Sequence, residues 1–359
     1  MDSAENRTPK ITKESKNRIV VDYEGKLSFK ERLKEKVKAS NTWITGTVNV
    51  FRFILMLGVS YVILFPFIAR IAGSFMSMED VVDSTISLIP KHPTLNIYRS
   101  IIAENHYWEA LSNTLILSLL SAIIQTFVAC LVGYGLAKFK FKGNKLIMGM
   151  VVVTMVIPHA TLELSMLQHF TRFDLLKVIA WDYPGIIELI NGAPLELTKT
   201  FAPFLILSVF GLAFKNGLYI YLLRQFFKGV PDELEESAYV DGSGTFRTFI
   251  QIILPLAVPM MITVFLFSFS WQWTDEFYTK LFIGRSFAAN DPSKVWLMPD
   301  IYVVPNSFEK AMEGFGGASL YSNVIQNTGG MMIIAPLIVL YLFCQKYLVQ
   351  GIERSGLVG

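Results

Sequence analysis

The chain has 359 residues, of which 52% are hydrophobic and only 17% charged, and its mean hydropathy is +0.45. A soluble domain averages about 25% charged residues, so this deficit excludes an ordinary soluble globular protein, and 28 Phe, 14 Tyr and 6 Trp exclude a disordered one. A formal net charge of +3 gives nucleic acid no reason to bind.

The first 50 residues are polar, of mixed charge, and contain no apolar stretch of the kind that heads a signal peptide. Within them, residues 27–38 (LSFKERLKEKVK) read either as a short basic amphipathic helix on a membrane surface or as a solvated tail. Beyond them, long stretches lack Asp, Glu, Lys and Arg. They are residues 53–69, 110–137, 146–162 with apolar character continuing to 170, 200–214 resuming over 216–223, 248–274 and 314–345. A spanning helix needs about 20 apolar residues. The runs are apolar on all faces, unlike the alternating strands of a barrel, and a helix satisfies its own backbone in lipid. The expected fold is therefore an all-α membrane protein: a cytoplasmic segment 1–50, then a domain 51–359 with six transmembrane helices. These fall at about 53–72, 110–137, 146–170, 200–226, 256–274 and 329–347. Cys130 and Cys344 lie inside such runs and read as buried hydrophobes.

Orientation follows from the loop cations. With the N-terminus in the cytoplasm, the inner segments hold 21 Lys and Arg and the outer loops nine. The sharpest signal is Lys138-Phe-Lys-Phe-Lys-Gly-Asn-Lys145, a tight basic turn after the second helix. Both termini are expected in the cytoplasm.

Catalytic signatures are absent. The sequence has no phosphate-binding GxxxxGK[ST] loop, no HExxH, no GxSxG and no dinucleotide fingerprint. Its four histidines have no metal-ligand spacing. Few ionisable groups interrupt the spans: Arg70 and Glu163 near ends, and Lys215 inside the fourth. Such residues are functional candidates by default, although Lys215 also reads as one half of a structural pair. Their scarcity points to an energy source on another subunit.

One loop carries a distinctive pattern, Val230-Pro-Asp-Glu-Leu-Glu-Glu-Ser-Ala-Tyr-Val-Asp-Gly-Ser-Gly-Thr-Phe-Arg. Pro231 suits a first helical position, and Asp232, Glu233, Glu235 and Glu236 suit the positive end of the helix dipole. Gly242 and Gly244 suit a stop and a reversal. A second short helix is expected from about Thr245, and Pro255 and Pro259 mark where the fifth membrane helix begins or bends.

This loop resembles the EAA motif of binding-protein-dependent ABC importer permeases: Glu-Ala-Ala, three residues, Gly, nine residues, Ile, one residue, Leu-Pro. Here the positions are Glu236-Ser237-Ala238, Gly242, Ile252, Leu254 and Pro255, with Asp241 before the glycine and Ser237 as the one departure. Further likeness lies in Pro93–Arg99, Leu111–Thr114, Tyr134–Gly143, Leu222–Phe227, Trp271–Phe277 and Gln345–Ile352. The type resembled is the second permease of sugar importers, such as the G subunit of the maltose transporter. The outer loops, residues 172–199 and 275–313, look long for that type.

The resemblance implies a bacterial inner-membrane, multi-pass permease that moves a carbohydrate by alternating access. Its implied partners are a second permease, two ATPase subunits and an extracytoplasmic sugar-binding protein, with membrane lipid around it. It also implies no cofactor on this chain and ATP on the partner subunit. Glu236, Ser237, Ala238, Asp241, Gly242, Ile252, Leu254 and Pro255 would couple to the ATPase. Asn113, Trp271, Trp273 and Lys215 are substrate-path candidates. Against that, interface belts also favour Trp, and Asn113 equally suits a bond to another helix. The alternatives are an importer permease for a non-sugar solute, a self-sufficient secondary carrier, and, lowest, an enzyme using His159, Asp275 and Glu276.

Overall fold

The computed structural model describes residues 10–15, 18–22, 40–174, 187, 192–284 and 294–354. It divides into two compact units, 1–69 and 70–359. In the first, strands β1 (Lys10–Ser15) and β2 (Arg18–Asp22) form an antiparallel hairpin. Sequence reading had no strand there, and the candidate amphipathic helix at 27–38 lies outside the described residues. Helix α1 (Ser40–Gly73) follows. It is apolar on every face, and Phe51, Phe53, Met56, Val62 and Ile68 are all exposed. An all-round apolar helix suits contact with lipid.

The second unit is built on α4 (Tyr107–Lys138), which is preceded by α2 (Met78–Val82) and α3 (Asn96–Glu104). The buried face of α4 carries Ala110, Thr114, Ser118, Ser121, Ala122, Gln125, Ala129 and Gly133, recurring at three- and four-residue spacing. Small side chains let helix backbones approach where no hydrophobic effect drives association. Gly133 shows how closely: a Cβ there would meet the backbone nitrogen of Arg224 at 3.0 Å. Mid-helix, Gln125 joins three helices. Its amide donates to Ser208 Oγ (3.1 Å) and accepts from Ser268 Oγ (2.8 Å), while Ser208 donates to Phe204 O. Such intramembrane bonds contribute about 0.6 kcal/mol each, up to about 1.7.

Two of the six expected helices are not single rods. The expected 146–170 helix is α5 (Asn144–Val156) and α6 (Glu163–Thr171), separated by a turn at His159–Leu162 and bent by 96°. Pro158 removes a backbone donor and pushes Ile157 into an extended conformation with ψ 121°. The expected 200–226 helix is α7 (Ala202–Val209) and α8 (Asn216–Lys228). Gly211, at φ +70°, ends α7; its N–H bonds Ser208 O and that of Leu212 bonds Leu207 O, the paired bonds of a Schellman cap. Lys215, at φ +65°, starts α8.

Next come α9 (Glu233–Val240) and α10 (Thr245–Thr248), which passes through a wide turn at Phe249–Ile253 into α11 (Leu254–Trp273). The short α12 (Asn306–Ala311) precedes the long α13 (Ala318–Arg354). Among the described residues, four helical stretches are long and apolar enough to cross a membrane, Gly46–Gly73, Tyr107–Lys138, Thr245–Trp273 and Ala318–Leu348, or five if the bent pair is one span. Cys130 is buried and Cys344 half-buried, both as free thiols.

Candidate functional site

Two regions hold most of the residues singled out from the sequence. The first is the helix–turn–helix at 233–248. Asp232 precedes α9, and Glu233, Glu235 and Glu236 fill its first turn, where the helix dipole favours anions. The helix ends on a Schellman cap: Gly242 N–H bonds Tyr239 O (3.0 Å) and Ser243 N–H bonds Ala238 O (2.9 Å). Gly242 sits at φ +83° with open space around it, so the glycine is required by backbone conformation and not by crowding.

Glu236, Ser237 and Asp241 are exposed, whereas Ala238 is buried. Ile252 and Leu254 pack against the cluster of Tyr134, Phe227, Phe249 and Ile253. Pro255 is exposed in the first turn of α11, where a missing N–H costs nothing. Beside Glu236 and Asp241, four apolar side chains are also open to solvent: Leu234, Tyr239, Val240 and Phe246. The element is thus fixed from below and presents a mixed acidic and apolar outer face.

The clamp formed by Lys138 and the inward turn of Glu235 escaped the sequence reading. Lys138, read only as a topology signal, has a side chain 7% exposed. Its Nζ donates to Val230 O (2.6 Å) and to Asp232 Oδ1 (2.5 Å). It fastens the end of α4 to the start of α9, and its ammonium holds the Asp232 carboxyl below the usual carboxylate range. Glu235 turns inward, and its Oε1 meets no hydrogen-bond partner. The three-residue step from Glu235 to the small Ala238 was the available signal for an inward face.

The second region lies at the two helix breaks. A cavity of about 300 Å³ is lined by residues 154–159 and 211–218. Lys215 borders it, with its ammonium 4.8 Å from the Phe214 ring centroid and 5.2 Å from that of Trp271, both within cation–π range. His159 also lines it; its ring packs on Phe214, and its Nδ1 is 2.7 Å from Tyr278 Oη. Trp271 is 46% exposed and packs on Phe214.

The other two substrate-path candidates lie elsewhere. Trp273 is 1% exposed, and its Nε1 donates to Ile333 O (2.9 Å), which ties α11 to α13. It is a core residue with no face open to a solute. Asn113 donates to Trp296 O (3.1 Å) and braces the segment leading to α13. The third suggested grouping does not form a catalytic pair. Asp275 is half-buried, and its Oδ1 accepts from Tyr278 N–H. Glu276 forms an ion pair with Lys280, and His159 is engaged by Tyr278.

Membrane-length helices, small-residue packing and a loop clamped beneath an exposed face define a multi-pass integral membrane protein. Residues 125–290 match the family described as binding-protein-dependent transport system inner membrane component. It is 25% identical to the polygalacturonan/rhamnogalacturonan transport system permease protein YtcP of Bacillus subtilis (strain 168), over 86% of this chain and 97% of that one. It is 26% identical to the arabinooligosaccharides transport system permease protein AraQ of the same strain, over 86% and 94%. In fold it is similar to a chain of a bacterial ABC transporter involved in the import of the acidic polysaccharide alginate. That likeness has a TM-score of 0.58 and 21% identity, and covers 86% of this chain and 98% of that one.

Proposed function

We propose that the chain is a permease subunit of an ATP-driven importer that carries a saccharide into the cell by alternating access. The observation that carries this reading is the 233–248 helix–turn–helix: capped at Gly242, clamped by Lys138, and exposing Glu236, Val240 and Phe246. A rigid element with an acidic and apolar outer face suits a groove on a separate subunit. The family match and the saccharide-importing relatives support the same reading. In it, Glu236, Ser237, Ala238, Asp241 and Gly242 form the lever that an ATPase subunit grips, and Ile252, Leu254 and Pro255 transmit its movement into α11. ATP is held and hydrolysed on that partner. A second permease and an extracytoplasmic binding protein complete the assembly. The broken segments 144–171 and 202–228 are the third and fourth of six spans, and both termini lie in the cytoplasm.

ATP binding to the partner shifts the population between outward- and inward-facing states, because the partner grips the lever differently with and without nucleotide. The test is ATP-driven uptake beside ATP hydrolysis in the complex purified from its host. Glu236→Arg reverses the charge of the outer face, and Gly242→Val forces a left-handed backbone on a β-branched residue, at about 1–2 kcal/mol. Both variants are expected to assemble into the membrane and to lose at least about tenfold of uptake per ATP hydrolysed, since 1.4 kcal/mol is a factor of ten. Unchanged uptake in both would remove the lever assignment. A chain that purifies alone and transports without nucleotide would make it a secondary carrier.

A further inference from the structure

The basic turn after α4 has features that topology does not account for. Lys138 points inward to its clamp, but the residues that follow face out. Phe139 and Phe141 are 46% and 44% exposed, and Lys140, Lys142 and Lys145 are exposed. These three ammoniums form no ion pair among the described residues, and no Asp or Glu occurs in the sequence from 110 to 162. The turn has a set shape: Asn144 Nδ2 donates to Leu136 O (3.2 Å) and to Phe139 O (3.0 Å), and Gly143 takes φ +102°. A positive-inside bias asks for the cations, but it gives no place to two open aromatic rings set between them.

Depth decides what covers them. Helix α4 is of membrane length and ends at Lys138, and α5 opens the next apolar run at Asn144. The five residues between the two helices reach at most about 18 Å when fully extended, so the turn cannot leave the membrane surface. Apolar surface resumes directly behind Lys145, with Leu146 70% and Ile147 37% exposed. Cations held just beyond a span meet lipid phosphates, and apolar rings at that depth sink to the acyl boundary. We infer that residues 139–145 are a binding site for anionic phospholipid headgroups. Lys140, Lys142 and Lys145 pair with the phosphates, and Phe139 and Phe141 anchor the turn below them. The inference rests on 144–171 being a span, as in the reading above, and on no step of transport. An acidic surface of a partner subunit offers the same charge, so the experiment separates the two.

The complete transporter, purified with its partner subunits, is reconstituted in phosphatidylcholine vesicles. These carry a trace of either phosphatidylglycerol or phosphatidylcholine with a photoreactive group in the acyl chain. After irradiation the labelled residues are mapped by mass spectrometry. Label on residues 139–150 is expected to favour phosphatidylglycerol by at least about tenfold, given about fivefold per cation near the surface. Helix α1, exposed and apolar, should take both lipids equally. Salt screens such attraction, so the preference should shrink as NaCl rises from about 50 mM to about 500 mM. Lys142→Gln should lower it about fivefold, and Lys140→Gln, Lys142→Gln and Lys145→Gln together should abolish it. Lys310→Gln, an exposed cation outside the turn, should leave it unchanged. The salt series and Lys142→Gln read the site even if the triple variant does not insert. Equal labelling of 139–150 by the two lipids in the parent protein overturns the site and leaves the span standing. Label on 148–171 and α1 with none on 139–147 also overturns it, and puts a partner subunit over the turn. Absence of label from the whole of 144–171 removes the span reading together with the site.

Discussion

Helices α7 and α9 end in the same way. Each closes on a Schellman cap whose left-handed residue is a glycine, Gly211 at φ +70° and Gly242 at φ +83°. The settings differ. Around Gly242 the sequence is acidic and polar, and the cap ends a helix whose outer face is open. Around Gly211 it reads Val209-Phe-Gly-Leu-Ala, the middle of an apolar run. There the same local chemistry breaks a span and opens a cavity instead of turning a loop. A helix stop is a property of backbone and residue, whereas its consequence depends on what the neighbouring helices leave beside it.

The sharpest way to break this comparison is at the contact that holds the interrupted span in place. Gly217, in the first turn of α8, lies against α5: a Cβ there would stand 2.6 Å from Thr154 Oγ1, 2.9 Å from Met155 Cγ and 3.0 Å from Val151 O. Gly217→Val should lower the thermal midpoint of the detergent-purified protein, at an overpacking cost of about 1–3 kcal/mol. If the midpoint is unchanged, α5 and α8 do not pack this closely.

A smaller effect is expected at the clamp of the other region. Lys138→Met leaves Val230 O and the Asp232 carboxylate without their partner. The fold should survive, while uptake per ATP hydrolysed falls severalfold, read against Lys140→Met, an exposed cation of the same basic turn. The sign of the pH dependence follows from the depressed Asp232 carboxyl. The clamp is fully formed above the ordinary carboxylate value of about 3.9 and is lost as pH falls through the lower folded value. Between pH 5 and 8 the parent should therefore show no loss of coupling from this pair.

The smallest effect concerns Asp275, just beyond α11. Burial raises its carboxyl to about 6, and its Oδ2 has no hydrogen-bond partner. A carboxyl raised in the folded state withdraws stability as pH rises from about 4 through 6, and the loss persists above that. Asp275→Asn keeps an acceptor for the Tyr278 N–H and removes the charge. The variant's thermal midpoint should therefore fall less than the parent's between pH 4.5 and pH 7.5. Parallel pH profiles would show that Asp275 is not the group responsible.

Much of this molecule was legible in the sequence where the signal was local. The stop at Gly242 and the second helix from Thr245 follow from glycine and local charge and form as read, whereas the first helix starts at Glu233 with Asp232 as its N-cap, so Pro231 lies just outside it and not at its first position. The unbroken apolar runs around 110–137 and 248–274 form long helices. Hydropathy failed where it overrode stop signals. Pro158 and Gly211 are stop signals inside continuous apolar runs, and the helices break there. In lipid an interrupted backbone is tolerated when it is buried in protein or lines a cavity, and hydropathy alone does not report that neighbour.

The same distinction separates the site residues. Trp271 and Trp273 are two positions apart in one motif, yet one packs beside Lys215 and the other is sealed against Ile333. Adjacent positions on a helix point to different sides, and only the location of α13 decides which side is core. Lys138 and Lys140 look equivalent in a basic run, but only Lys138 meets Val230 O and Asp232. The sequence alone determined that this is a helical membrane protein with one polar loop built as a capped helix–turn–helix, because apolarity, capping and dipole effects act within a few residues. The tertiary structure decided which spans are broken, which charges are clamped and where a cavity opens, because those outcomes depend on helices distant in the chain meeting at a few ångströms.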